Sequence, residues 1–503
     1  MKNISALNDI EPLITKLRNQ GKRIVQCHGV FDLLHIGHIR YLRQARAHGD
    51  ILVVTVTSDR YVDKGPGRPA FNEHLRREAV ASLDCVDIAV ISDYPTAEES
   101  MRAIKPCIYA KGAEFKNMDD ITGKIALEAN VARELGTEML FVEDIVYSSS
   151  QLINKHLSVL SQESREYMQH FCSRHKAQEI LSCLDSFRDL KVLVVGDFIL
   201  DDYEYCSPMG SSSKDPVLTV LRRSGEVFAG GSAAIANHIA QHVSRVSLLT
   251  VLGDDGQTGF ARAALAPTVT LHPVIRKGAP TLRKKRFIDN STFQKMFETY
   301  EMDTSPMPPE VEDTMLGHIE QLIAQHDIIL APDFGNGCIS EAMVQTLCEK
   351  APYLAVNTQA NAGNRGFHTI GRYPRADFVS LAKHEIRLEY RNTKLAPIDM
   401  MLDLRERLGC THVVMSEGRM GCAVLGPDDF QRCPSFSSNV VDAVGAGDAL
   451  YSITALAAYM NYPSEVISFL GNIAGGLAVG NIGNAMVIAR QAMQKFIATL
   501  MKQ

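Results

Sequence analysis

The sequence predicts an α/β protein of two domains, each a mainly parallel sheet between layers of helices. Three observations carry that expectation. The chain has 503 residues, more than one hydrophobic core accommodates. Short apolar, β-branched runs alternate with amphipathic stretches in both halves, the pattern of βαβ units. At two places a strand-like run meets a turn and then a helix, once around His35 and once around Gly445. The expected boundaries are 1–158, a helical connector 159–189, and 190–503.

The bulk properties exclude several classes. Hydrophobic content of 46% and charged content of 22% are those of a soluble globular protein. A net charge of -6 gives no basic footprint for nucleic acid. The 11 cysteines are scattered without a C-x-x-C pair, which predicts a reducing, cytoplasmic setting and no disulfide framework. Met1 to Pro12 does not read as a signal peptide. No apolar run reaches membrane-spanning length, and Gly/Ala-rich Phe469 to Val479 reads as a buried helix.

The first domain opens on the strand Arg23 to Cys27. There follow His28-Gly29-Val30-Phe31-Asp32-Leu33-Leu34-His35-Ile36-Gly37-His38 and a helix ending near His48-Gly49, with Ile39 and Leu42 inward. His35 and His38 therefore stand at a helix N-terminus directly after a strand. There, free amides and two imidazoles can meet a triphosphate and hold the charge that builds as pyrophosphate leaves. Ile51 to Thr57 reads as a strand, Asn72 as the cap of a helix to Leu83, and Ala89 to Ile91 as a strand. Thr96-x-x-Glu99 reads as a capping box for a helix to Ile104. Ile108 to Ala110 is a strand, Ile121 to Leu135 a helix closed by Gly136, and Met139 to Val142 a strand. Parallel strands present ligands at their carboxyl ends. Lys64, Arg68, Arg76 and Lys111 fall there as candidate phosphate clamps, and Ser148, Ser149 and Ser150 as a helix cap facing the same phosphates.

In the connector, Tyr167, Phe171, Ile180, Leu181, Leu184 and Phe187 fit an amphipathic helix or helix pair. The second domain begins with the strand Lys191 to Val195, after which either Asp197 or Asp201 is placed to hold sugar hydroxyls. Gly230-Gly231-Ser232 opens a helix to His242, and the paired glycines allow close backbone approach to a ligand. Val217 to Leu221, Leu282 to Ile288 and Lys295 to Tyr300 read as antiparallel strands of a small lid sheet. From Glu310 the alternation resumes: a helix to Gln325, strand Ile328 to Ala331, helix Glu341 to Glu349, and strands Tyr353 to Val356 and Asp377 to Leu381. Helix Pro397 to Leu408, strand His412 to Ser416, the turn Glu417-Gly418-x-x-Gly421 and strand Cys422 to Leu425 complete it. Then comes Asp442-Ala443-Val444-Gly445-Ala446-Gly447-Asp448 before the apolar run Ala449 to Met460. Amides of Gly445, Ala446 and Gly447 at a positive helix end suit a phosphate or a developing anion. Asp448, in the first turn, is in reach of a substrate hydroxyl proton, which makes a phosphoryl-transfer arrangement.

From Arg23 to Lys155 the chain resembles the cytidylyltransferase-like nucleotidyltransferases, and within them the adenylyltransferase half of the bifunctional heptose-phosphate kinase/heptose-1-phosphate adenylyltransferases. The matching words are His28-Gly29-Val30-Phe31-Asp32, Leu34-His35-x-Gly37-His38, Gly49-Asp50, Ser58-Asp59, Lys111-Gly112 and Ser148 to Ser150. The resemblance implies attack of a sugar-1-phosphate oxygen on the α-phosphate of a nucleoside triphosphate. His35 and His38 would lie on the phosphates, Gly29 and Phe31 at the nucleotide, Asp32 at the substrate, with Mg²⁺ bound largely through phosphates. From Leu190 to Lys495 the chain resembles the ribokinase-like (PfkB) sugar kinases, through Val195-Gly196-Asp197, Gly230-Gly231, Gly418-x-x-Gly421 and Asp442-x-x-Gly445-Ala446-Gly447-Asp448. That implies Asp448 as base, the Gly445 to Gly447 amides on the transferring phosphoryl, Gly418 and Gly421 near the nucleotide, and Glu385 on the Mg²⁺ side. Both are Rossmann-like three-layer domains.

The bifunctional heptose enzymes carry the kinase first; here the order is inverted. Where the family has Asn after its paired glycines, this chain has Ala234 at the fifth place and Asn237, a candidate substrate contact, at the eighth. The family's Asn-x-x-Glu is Ala382-Lys383-His384-Glu385, and the Asp-Pro-Lys of the heptose kinases is Asn357-Thr358-Gln359. The base and the anion hole remain. The expected function is a sugar-phosphate kinase joined to a sugar-1-phosphate nucleotidyltransferase, with ATP as substrate of both sites and an ADP-heptose type of product. Two alternatives stand beside it: a cytidylyltransferase using CTP on another sugar or polyol phosphate, and a kinase half that binds sugar phosphate without turnover. A homodimer is the default assembly.

Overall fold

The computed structural model describes residues 7–62, 65, 68–113, 124–142, 160–212, 214–437 and 440–502. The chain divides into two compact units, residues 1–161 with 494–503, and residues 162–493.

The first unit is built on five parallel strands, β1 (Ile24–Gly29), β2 (Ile51–Thr57), β3 (Ile88–Ser92), β4 (Ile108–Gly112) and β5 (Glu138–Val142), in the order β3-β2-β1-β4-β5. Alternate side chains serve opposite faces. Ile24, Ile51, Val53, Ile88 and Val90 pack with Ile14, Leu17 and Ile104. Val25, Cys27, Leu52, Val54 and Val56 pack with Leu42, Ala45 and Val80 on the other side. Two buried faces explain why β2 reads as an unbroken apolar run. Strand order reverses between β1 and β4, so a ligand crevice is expected beyond the carboxyl ends of these two strands. The helix Glu73–Ala81 is capped by Asn72, whose Oδ1 accepts from Leu75 N at 3.0 Å. The capping box expected at Thr96 does not form: the helix starts at Glu98 with Ala97 as its cap and no side-chain cap bond.

The second unit holds two sheets. The main one comprises β6 (Lys191–Val195), β9 (Arg245–Gly253), β10 (Val269–Arg276), β13 (Ile328–Asp333), β14 (Leu354–Thr358), β15 (Phe378–Ala382), β16 (His412–Ser416), β17 (Cys422–Leu425) and β18 (Phe430–Cys433). Their order is β10-β9-β6-β13-β14-β15-β16-β17-β18, parallel up to β16 and antiparallel over the last two pairings. The small sheet has four strands, β7 (Phe198–Ser211), β8 (Leu218–Gly231), β11 (Arg283–Asp289) and β12 (Lys295–Glu301), in the order β12-β11-β7-β8. It is not wholly antiparallel, because β11 runs parallel to β7. The acidic stretch Asp201-Asp202-Tyr203-Glu204 lies inside β7. Its carboxylates are buried there against basic residues of β11 and β8.

Residues 162–189 of the expected connector belong to the second unit. They form helices Gln162–Arg174 and Ala177–Asp185. Phe171 stacks on Phe469 at 4.2 Å, and Ser164 Oγ donates to Ser435 O at 2.9 Å. They are therefore part of that unit's packing, and residues 494–503 group with the first unit.

Candidate active sites

In the second unit a helix begins at Ala446 and runs to Tyr459, with Gly445 as its cap at φ 83°. A β-carbon at Gly445 would come within 2.4 Å of Asn484 Oδ1, so only glycine makes this turn without strain. Asp442 fixes the approach: it accepts from Tyr203 Oη at 3.0 Å, Gly483 N at 3.0 Å and Lys295 Nζ at 2.5 Å. Helix geometry leaves the first-turn amides without carbonyl partners four residues back. Ala446 N leans on Ala443 O at 3.4 Å, while a β-carbon at Gly447 would meet nothing within 4 Å, so the cradle opens there.

That turn borders a cavity of about 790 Å³. Ile199, Asp201, Gly231, Lys284, Arg286 and Asn484 line it from the small-sheet side; Gly418, Gly421, Asn472, Gly475 and Gly476 line it from the loops and helices after β16. Gly445, Ala446, Gly447, Asp448, Gln359 and Glu385 line it as well. Asp448 is 8% exposed, and its Oδ1 accepts from Gln359 Nε2 at 3.1 Å. Burial, with the nearby Asp201 and Glu385 charges adding to it, pushes its carboxyl up to about 7, against the opposing pull of Lys284 and Gln359. A general base works best with a pKa near the operating pH. With Asp448 as the candidate base, active only when ionised, kcat/KM for phosphoryl transfer is expected to climb as pH rises through about 7 and level off above it. The stability contribution has the opposite sign: the neutral carboxyl favours the folded state at low pH, and that advantage is lost as pH passes the folded value. A pH–rate profile from 5.5 to 9 checks this; a profile already flat from about pH 5.5 would contradict it.

Several sequence candidates take other roles here. Asp201 is held by Arg286 at 2.5 Å and Asn484 Nδ2 at 3.0 Å. Gly230 makes room for it, since a β-carbon there would lie 2.2 Å from Asp201 Oδ2. Asp197 does not reach the cavity: it accepts from Cys338 N at 3.2 Å and Asn336 N at 3.5 Å, and burial, with Asp333 nearby, raises its carboxyl to about 6. Asn237 does not either, because its amide clamps Ala264 O at 2.9 Å and Ala266 N at 2.8 Å. Glu385 accepts from Ala382 N at 2.7 Å and Ala360 N at 3.1 Å; burial raises it to about 7 against those two amides. Gln359, Lys284, Arg286 and Asn484 were not anticipated. The run Arg283-Lys284-Lys285-Arg286, basic within a strand, was the available signal for two of them.

In the first unit His35 caps the helix Ile36–Arg46, its Nδ1 accepting from Gly37 N at 3.1 Å. That acceptor role places the proton of the neutral ring on Nε2. His35 Nε2 is buried without a partner among the described residues, and burial lowers the ring's proton affinity, keeping it neutral. His38 lies beside it, ring centroids 4.0 Å apart, with Phe31 edge-on to His38 at 5.3 Å. Phe31 takes φ 50°, and its ring lies 3.1 Å from where a β-carbon on Gly29 would sit. The two imidazoles thus meet at the carboxyl end of β1, beside the β1–β4 switch.

The surrounding charges are committed elsewhere. Asp32 is not a substrate contact: it is buried, accepting from Arg68 Nη1 at 2.9 Å and Ala70 N at 2.5 Å. Arg76 is not a phosphate clamp: it is 1% exposed and donates to Phe71 O at 2.8 Å, Thr57 O at 2.7 Å, Asp59 Oδ1 at 2.6 Å and Val30 O. It staples three backbone segments. Arg76→Met should destabilise the first unit by about 3–5 kcal/mol, because it orphans buried acceptors and one carboxylate. Urea unfolding reads this; a loss under about 1 kcal/mol would mean water replaces the guanidinium. Lys111, at the end of β4, pairs with Glu128 at 2.8 Å. Lys64, Ser148, Ser149 and Ser150 lie outside the described residues.

The chain thus joins two domains of phosphate-handling transferase type, each with helix-start donors beside a candidate catalytic side chain. Residues 27–155 match the cytidylyltransferase-like family, and residues 189–488 match the pfkB family carbohydrate kinases. The chain belongs to the pfkB family of carbohydrate kinases. Its N-terminal part is similar to the bifunctional protein HldE of Aliarcobacter butzleri, 38% identical over 133 residues, covering 26% of this chain and 28% of that protein. The bifunctional protein HldE of Geobacter metallireducens is 36% identical over 163 residues, 32% of each chain. The chain therefore spans about a third of the length of these relatives. Phosphofructokinase-2 from Escherichia coli, solved in complex with substrates and products, matches in fold with a TM-score of 0.51 at 13% identity, over 62% of this chain and 99% of that one.

Proposed function

We propose that the chain is a bifunctional transferase. Its second unit phosphorylates a sugar or sugar phosphate, and its first unit joins a sugar 1-phosphate to a nucleotide, adenylyl from ATP, releasing pyrophosphate. The product is an activated nucleotide sugar of ADP-heptose type for surface-polysaccharide synthesis. The observation that carries the reading is Asp448: a buried carboxyl raised to about 7 in the first turn of a helix whose amides face the same cavity. It takes the proton of the acceptor hydroxyl as that oxygen attacks the γ-phosphorus, and the helix-start amides hold the charge on the moving phosphoryl group. In the first unit the neutral His35 donates from Nε2 to a phosphate oxygen, and His38 stands beside it for the same polyphosphate.

Among the described residues no cluster of three or more His, Cys, Asp or Glu forms a metal cage. The donor set fits Mg²⁺ that arrives on nucleotide phosphates, with Glu385 as the nearby carboxylate. When bound, the ion neutralises phosphate charge. All 11 cysteines are free, and no described helix is long and apolar enough to cross a membrane; both fit a cytoplasmic enzyme. Met209, Val217, Leu218, Leu221, Phe293 and Phe297 expose apolar surface on or beside the small sheet, which supports a homodimer.

One observation favours a second reading, in which the kinase unit binds sugar phosphate without turnover. Glu385 spends one oxygen on its own helix cap, Ala382 N, and the other on Ala360 N, and Ala382 stands where the family has Asn. Incubation with ATP or CTP, Mg²⁺ and a panel of sugars and sugar phosphates, followed by mass spectrometry, tests both. Heptose 7-phosphate gaining one phosphate and heptose 1-phosphate gaining AMP are the expected products. CMP transfer, or no phosphorylation of any acceptor, would replace the first reading by an alternative.

A further inference from the structure

Four basic residues follow one another on β11, Arg283-Lys284-Lys285-Arg286, and a strand sends them alternately to two faces. On one face Arg283 meets Asp202 at 2.8 Å, and Lys285 lies 3.5 Å from Asp202 and 3.7 Å from Glu204. On the other, Arg286 meets Asp201 at 2.5 Å and Glu298 at 3.5 Å. Lys284 is the exception. It is 7% exposed, yet among the described residues no carboxylate stands at ion-pair distance from it. Its ammonium lies 5.1 Å from the centre of the Tyr300 ring, and the residue lines the cavity beside Asp201.

Burying an ammonium without a counter-charge is unfavourable. The neighbouring acids do not relieve it by contact. Asp201 is committed to Arg286 and Asn484, and Asp197 to the Asn336 and Cys338 amides. Burial accordingly lowers the proton affinity of Lys284, with Asp201 and Asp197 opposing that from a distance. The strand holds the group at the small-sheet end of the cavity. Asp448, in the first turn of its helix, borders the same cavity, close enough that the Lys284 charge lowers its proton affinity. A ligand carrying its own negative charge completes such a position.

We propose that Lys284 binds an anionic substituent of the acceptor, a phosphate ester or a carboxylate, so that the kinase unit selects sugar phosphates or sugar acids over neutral sugars. This rests on the reading of the second unit as a sugar kinase. The shared chemistry is an oxyanion at a fixed distance from the reacting hydroxyl.

The test measures ADP formation by the full chain with ATP and Mg²⁺ on three acceptor sets: neutral aldoses and ketoses, their terminal phosphates, and the matching sugar acids. Wild type is expected to show a KM at least tenfold lower for one anionic set than for the neutral set. Lys284→Met should raise that KM at least thirtyfold and move the neutral-sugar KM less than threefold, and Lys284→Arg should restore part of the preference. Lys284 also holds down the proton affinity of Asp448, so the methionine variant shifts the pH limb of kcat upward for all acceptors alike; the KM split is the discriminating number. The melting temperature of the ligand-free protein adds a second reading. It should rise in Lys284→Met if the ammonium is uncompensated, and fall if it is a counter-charge for the neighbouring acids, which would overturn the proposal. Equal KM changes for neutral and anionic sugars would overturn it too. If no acceptor yields ADP, the kinase reading fails separately. Calorimetric titration with the sugar phosphates then decides: binding lost in Lys284→Met sustains the anion site, and binding equal in both proteins removes it.

Discussion

Asp448→Asn is expected to lower phosphoryl transfer by roughly 10²–10⁴-fold, the usual contribution of a positioned general base. The substitution keeps the shape of the side chain and its contact with Gln359, so the helix start and the cavity should survive. Only the capacity to take a proton goes. The loss should fall on kcat with little change in KM, because the carboxylate acts when the hydroxyl becomes nucleophilic. Steady-state ADP release reads the effect, and the variant should lose the pH limb near 7 that is expected of wild type. Residual activity within about threefold of wild type would mean that the acceptor hydroxyl loses its proton without Asp448.

Replacing His35 by Ala should cost nucleotidyl transfer roughly 10²–10³-fold, the magnitude of one lost donor at a developing charge. Two effects combine in this residue. Its Nδ1 caps the helix by accepting from Gly37 N, and its Nε2 is a buried donor without a partner. His35→Asn separates them, since an Asn side chain caps a helix well but is too short to place the same donor. It should fold like wild type and still release pyrophosphate slowly. His38→Ala should lose a comparable factor, and the double variant less than the product of the two, because the rings share one contact. Pyrophosphate release from ATP and a sugar 1-phosphate measures all four variants.

The fold was legible where patterning alone decides it. Strands β2, β16 and β17 and the helix Pro397–Leu408 fall on the expected residues, because two-sided burial imposes unbroken apolar runs and capping chemistry marks helix ends. It was illegible where charge is neutralised by a distant strand. Nothing local marks Asp201, Asp202 and Glu204 as buried strand residues until Arg283, Lys285 and Arg286 are brought beside them. The sites divide in the same way. The turn at Gly445 to Asp448 and the histidine pair are local motifs whose geometry follows from a helix start, and the structure places each at one. Arg76, Asp32, Asp197 and Asn237 carry the right chemistry for ligands but are engaged by backbone groups far away in sequence. No spacing rule separates a clamp for phosphate from a clamp for carbonyls. Gln359 and Lys284 matter only because β14 and β11 deliver them to the same cavity as Asp448.

The central claim is that two separate helix starts, one with a carboxylate and one with paired imidazoles, each handle polyphosphate independently. Phosphorus NMR of the full chain with ATP, Mg²⁺, a sugar phosphate acceptor and a sugar 1-phosphate tests it most directly, because ADP and pyrophosphate have distinct signals. Wild type should produce both, Asp448→Asn only pyrophosphate, and His35→Asn chiefly ADP. If either folded variant lost both products together, or if Asp448→Asn formed ADP at the wild-type rate, the account would be contradicted.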